Sequence, residues 1–144
     1  MAGEPEGSTK AGRADFAGHP VYELALRLCA EVLDLESKFP DDEQELIYGG
    51  LKRCAIETGS LIASGFGRSR SDARLDIWER ARSRVMEARH LVLVARMRYL
   101  VDSRDVERFE ALYFEMIEGL DALIGETAGE GLTGRAAKRP GRRR

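Results

Sequence analysis

Residues 21–39 read VYELALRLCAEVLDLESKF, and within them Val21, Ala25, Leu28, Val32, Leu35 and Phe39 recur at alternating steps of four and three. That spacing puts all six on one side of an α-helix and predicts a packed seam. Pro20 suits the first helical turn, where its missing N–H loses no partner. Pro40 closes the segment, because the residue before a proline avoids helical angles.

The same rhythm recurs along the chain. Asp41, Asp42 and Glu43 supply a cap and negative charge at the positive end of a second helix. Its seam is Ile47, Leu51, Cys54, Thr58 and Leu61, and it stops near Gly65. Gly49, Gly50 and Gly59 each cost such a helix about 1 kcal/mol relative to alanine, which points to close approach of a neighbouring backbone. Ser71 is placed to cap a long third helix with the seam Trp78, Ala81, Val85, Ala88, Val92, Ala95 and Tyr99. Ser103, followed by Glu107, opens a fourth with Val106, Phe109, Tyr113, Met116, Leu120 and Leu123 in register, ended by Gly125. Four helices with short connections predict an all-α protein, an antiparallel up-down-up-down four-helix bundle over residues 16–125. No stretch alternates like a strand between turn signals. Residues 1–15 read as a flexible leader and residues 126–144 as a disordered basic tail.

The 144 residues are 43% hydrophobic and 33% charged, which fits one folded domain and excludes a wholly disordered chain. The longest uncharged run, Thr58 to Gly67, has ten residues, whereas a membrane-spanning helix needs about 20 mainly apolar ones. Met1 to Asp15 contain no Leu, Ile, Val or Phe, so no secretory signal is expected and the cytoplasm is the default location. Cys29 and Cys54 fall inside apolar helical patterns and read as free thiols of the core. Glu87 and His90 have the Glu-x-x-His spacing of di-iron bundles. A second such pair is missing, and both residues fall off the seam, so no metal or cofactor is expected. With two histidines and no triad, the chain is not expected to be an enzyme or to take a small-molecule substrate.

The formal net charge of -2 conceals an uneven distribution. Phe16 to Gly67 hold four basic and nine acidic residues, Arg68 to Val101 nine basic and four acidic, and Asp102 to Gly125 two basic and seven acidic. Only the third helix is basic. Arg82, Arg89 and Arg96 recur every seven residues as a stripe beside its seam, either a nucleic-acid face or a row pairing with acidic residues of the fourth helix such as Glu110 and Glu118. After Gly125 come Arg135, Lys138, Arg139, Arg142, Arg143 and Arg144 against two acidic residues. Such arms bind phosphate backbones by releasing counterions, without reading sequence. No aromatic residue accompanies them, so base stacking is not indicated there.

Pro40 and Glu43 open the second helix, Arg53 and Ala55 lie within it, and Ile62-Ala63 with Gly65-Phe66-Gly67-Arg68 close it. With Ala81 and Glu87 on the third helix, these residues resemble the four-helix-bundle proteins encoded in intervening sequences of bacterial ribosomal RNA genes. Those proteins in turn are similar to the accessory variability determinant of diversity-generating retroelements. The resemblance spans about Phe16 to Gly125 and departs where the family has polar residues, here Gly50, Glu57, Leu61 and Ser64, with Arg84 on the third helix. It implies an all-helical, non-enzymatic homopentamer with a basic surface that engages nucleic acid in the retroelement branch, with ribosomal RNA, or a reverse transcriptase and its template RNA, as partner. Residues and resemblance together give an oligomeric nucleic-acid-binding adaptor, RNA being the favoured partner. The alternative is a protein–protein scaffold without nucleic acid. Extra apolar residues beside the seams, Leu24, Leu26, Leu33, Leu46, Leu91 and Ile117, also favour self-association.

Overall fold

A computed structural model describes residues 15–138, with side chains to residue 131. The described chain is helical throughout, without a strand. A short 3₁₀ turn, Phe16–Gly18, leads into α1, Pro20–Leu33, whose N-cap His19 accepts the Val21 N–H through Nδ1 at 3.1 Å. The regular helix stops before the end of its seam. Glu36–Lys38 form a 3₁₀ turn, yet Leu35 and Phe39 remain in the core. We denote as α2 one continuous run with three geometries: Asp41–Glu43 (α), Gln44–Tyr48 (π) and Gly49–Phe66 (α). α3 covers Ser71–Met97 and α4 covers Ser103–Lys138.

Paired contacts run in opposite directions between neighbours. Along α2 and α3, Glu43 meets Arg98, a Cβ on Gly50 would lie 3.2 Å from Leu91, Glu57 meets Arg84, and Gly65 meets Trp78. Along α3 and α4, Arg82 meets Asp121, Arg89 meets Glu110 and Arg96 meets Ser103. α1 packs against both α2 and α4, so the four helices close into an antiparallel bundle. Its main core joins Val21, Ala25, Leu28 and Val32 to Leu51, Val85, Val92, Phe109, Met116 and Leu120. Fully burying a large apolar side chain stabilises a fold by about 1.5–3 kcal/mol, so these seams carry most of the stability.

The small second cluster, Ile77, Trp78 and Leu123, closes one end of the bundle. There the Trp78 indole lies directly on the α2 backbone. Its Nε1–H donates to the Ile62 carbonyl at 3.1 Å, and its ring meets Phe66 edge-on with centroids 5.0 Å apart. This contact needs a glycine, because a Cβ at position 65 would lie 2.1 Å from Trp78 Nε1.

Several sequence expectations are corrected. The π turn inserts an extra residue, so Ile47 and Tyr48 both turn inward. Tyr48 donates to the Val32 carbonyl at 3.1 Å and stacks on Phe39. Further along, Ala55, Thr58 and Ile62 continue the buried face, so Ile62 rather than Leu61 takes the fully buried position. Ser71 and Ser103 are first-turn residues, not caps. Asp102 caps α4 instead: it accepts the Asp105 N–H at 2.9 Å while Asp105 accepts the Asp102 N–H at 3.0 Å. Tyr99 leaves the seam, because α3 ends at Met97 and the chain turns. Finally, α4 runs through Gly125 to Lys138. A single glycine weakens a helix without ending it, and here the added turns bury Thr127 and bring Glu130 to within 3.8 Å of Arg74. The boundary drawn at Gly125 thus falls inside a helix. The remainder of the expected tail beyond Lys138, and residues 1–14 of the leader, lie outside the described residues.

No helix among the described residues is long and apolar enough to cross a membrane. Both cysteines are free, Cys54 buried and Cys29 partly so.

Candidate nucleic-acid interface

The heptad spacing of Arg82, Arg89 and Arg96 places all three on the side of α3 that faces α4. Arg82 Nε donates to Asp121 at 2.7 Å, Arg89 Nε donates to Glu110 at 2.9 Å, and Arg96 donates to Ser103 Oγ at 2.9 Å. The Arg89 guanidinium also lies over the rings of Tyr113 and Phe114, 4.7 and 5.1 Å from their centroids, an arrangement attractive through the ring quadrupole. Donating hydrogen bonds to Asp121 and Glu110 raises Arg82 and Arg89 above the usual guanidinium range. Asp121, three residues further along, takes the place expected of Glu118. The stripe therefore joins α3 to α4, and carboxylates balance the charge of Arg82 and Arg89.

Of the other candidate residues, Arg135 and Lys138 belong to the last turns of α4. Arg139, Arg142, Arg143 and Arg144 lie outside the described residues. The basic turn between α2 and α3 sits at the same end of the bundle. Arg70 forms an ion pair with Asp72 at 2.8 Å, and Arg74 donates to the Arg68 carbonyl at 3.0 Å. This end thus combines the α2–α3 turn with the run-out of α4.

A second charged cluster lines an open groove of about 420 Å³ between α2 and α3, with Gly50, Arg53, Cys54, Glu57, Arg84 and Glu87 among its walls. Arg84 bridges Glu57 on the opposite helix and Glu87 on its own, both at 2.8 Å. The bond to Glu87 follows from the three-residue spacing. The one to Glu57 had no signal in the sequence, since nothing there sets the register of α2 against α3. Glu87 is also the acceptor for the Cys54 thiol at 3.6 Å, so it is committed to neighbours on both sides, and His90 stands exposed at the rim. No three His, Cys, Asp or Glu side chains among the described residues gather as a metal-binding group.

Burial, reinforced by the Glu87 carboxylate, pushes the Cys54 thiol up from the ordinary 9.0 to about 11. Because the thiolate is the nucleophile, the native protein at pH 8 should react with iodoacetamide at Cys54 about a hundredfold more slowly than an ordinary thiol. Mass spectrometry of labelling in buffer and in urea checks this. The raised value makes the folded state bind the proton more tightly than the unfolded chain does. Its stabilisation is complete below pH 9 and is lost as the pH rises towards 11.

Gly50, Arg53, Glu57, Arg84 and Glu87, which lie on different helices, line this one groove together. A family model described as 23S rRNA-intervening sequence protein matches residues 18–122. The chain belongs to this family. No curated protein matches it. In this 23S rRNA-intervening sequence family member, the match covers the bundle and stops before the C-terminal basic run. The groove gathers Gly50, Arg53, Glu57, Arg84 and Glu87 from within the matched residues.

Proposed function

We propose that this family member is a non-enzymatic, cytoplasmic, oligomeric adaptor that binds RNA through its phosphate backbone. The observation that carries the reading is the run of six basic residues from Arg135 to Arg144, which begins on the last turns of α4. Since α4 extends past Gly125, the first of these charges are held on a helix instead of a free coil. The arginine stripe has a lesser part, because Arg82 and Arg89 are already paired with α4. Ribosomal RNA is the partner in keeping with the family's description. A reverse transcriptase with its template RNA is the alternative assembly.

Self-association has support in two separate apolar surfaces. Leu26 and Ile56 flank a groove of about 320 Å³ between α1 and α2, whereas Met86 and Leu93, seven residues apart, are exposed together along α3. Different faces that fit one another assemble head to tail, and such contacts close into rings when the rotation allows. A pentamer would present five basic segments together and raise avidity without any new contact. The pairing of the stripe favours a second reading, a protein–protein scaffold in which charge serves only to hold helices and subunits together.

Binding of labelled structured RNA measured against salt separates the two. The adaptor should show log–log affinity falling with a slope of about -4 to -6, as the release of several counterions requires. Binding that is absent or insensitive to salt would overturn it in favour of the scaffold. Light scattering in the same buffers should give a multiple of 16.0 kDa.

A further inference from the structure

The end of the bundle opposite the basic run carries three strongly exposed apolar side chains: Tyr99 (89% exposed), Leu46 (76%) and Met97 (67%). Tyr99 and Met97 sit at the α3–α4 connection, and Leu46 belongs to the π turn, which packs against α3. Tyr99 is the more telling. Leu100 donates its N–H to the Ala95 carbonyl and Tyr99 donates to Arg96, both at 2.9 Å, the bonding that ends a helix with one residue in the left-handed region. Tyr99 is that residue, at φ 61°, a place where glycine carries no steric cost and a tyrosine does. Its ring repays none of that cost inside the molecule, for it makes no hydrogen bond or aromatic contact among the described residues.

Charge identifies what could cover this patch. Residues 34–48 and 96–105 hold eight acidic side chains against four basic ones. Two of the four cations are already engaged, Arg98 by Glu43 and Lys38 by Asp105. Asp41, Asp42 and Glu45 are exposed and form no ion pair among the described residues. An acidic rim repels phosphates and attracts cationic side chains. An exposed tyrosine beside aliphatic neighbours supplies the aromatic anchor typical of protein interfaces.

We infer that this end of the bundle docks a basic polypeptide segment of another protein, one that inserts an apolar residue against Tyr99, Met97 and Leu46. α4 has 36 residues, and at about 1.5 Å per residue it separates this surface from Arg135 and Lys138 on its last turns by about 50 Å. The inference does not depend on RNA binding at the far end.

The test is a fluorescence titration of the full chain with a labelled peptide that has one central tryptophan between runs of arginine. Two control peptides replace the arginines by glutamate or the tryptophan by glycine. The first peptide should bind, and each control should bind at least about tenfold more weakly. Tyr99→Gly should raise the melting temperature, by relieving the left-handed strain, while weakening the peptide by about tenfold or more. The triple change Asp41→Asn, Asp42→Asn and Glu45→Gln should weaken it and flatten its salt dependence. Equal binding by the glutamate peptide, or an affinity that Tyr99→Gly leaves unchanged, would overturn the inference. Loss of RNA binding in Tyr99→Gly without any peptide binding would overturn it in favour of base stacking.

Discussion

Gly65→Ala should cost this protein about 3 kcal/mol or more, enough to leave a large fraction of a marginally stable domain unfolded. The added Cβ would stand 2.1 Å from Trp78 Nε1, 2.5 Å from Cε2 and 2.7 Å from Cδ1. Relief is blocked on every side. The indole is rigid and almost wholly buried, Phe66 closes on it from one side, and moving it away breaks its hydrogen bond to Ile62. Moving α2 instead would disturb the packing of Ile62 and Thr58, both fully buried. Urea denaturation followed by circular dichroism measures the loss. The double variant Gly65→Ala with Trp78→Leu should lose less than the two single changes added together, since the leucine frees the space the methyl needs. Strict additivity would show that the clash is not the cause.

Replacing Arg135, Lys138, Arg139, Arg142, Arg143 and Arg144 by glutamine should weaken RNA binding at low salt by about a thousandfold and reduce the salt slope by about five. Each phosphate neutralised contributes close to one unit of slope, so the estimate assumes that all six charges engage. Glutamine keeps polarity and helix propensity, which leaves the bundle unaltered. The contrasting variant, Arg82→Gln with Arg89→Gln, should lower the melting temperature through the lost pairs to Asp121 and Glu110. It should change the RNA slope by less than about one. If the two variants exchange phenotypes, the α3 stripe carries the phosphates and its ion pairs open on binding.

The seams of α1 and α3 were legible because each helix buries one narrow face, and regular spacing reports such a face directly. Trp78, Ala81, Val85, Ala88, Val92 and Ala95 are all buried where the period puts them. What stayed hidden was whatever breaks the period or depends on a neighbouring helix. The π turn at Gln44–Tyr48 adds a residue without any breaker in the sequence, and so Tyr48 was missed. Tyr99 continues the seam numerically, but its backbone leaves the helix two residues earlier. Gly125 reads as a terminator, yet the helix continues past it to Lys138 and buries Thr127. For the site, the heptad placed the arginines on one face correctly. Only the register of α3 against α4 could tell that Asp121 and Glu110 stand opposite, and composition carries no such information.

Trp78 is the single tryptophan of the chain. Sealed beneath Phe66 and hydrogen-bonded to a backbone carbonyl, it makes the junction of α2, α3 and α4 an intrinsic fluorophore with an apolar, solvent-shielded environment. Its emission reports the integrity of that junction alone, without a label and without background from other indoles. Near it stand the basic turn and the extended stretch of α4, where Gly131 approaches Ser71. The native protein thus carries its own optical gauge beside the end that bears the basic run, while the Tyr99 end has no indole.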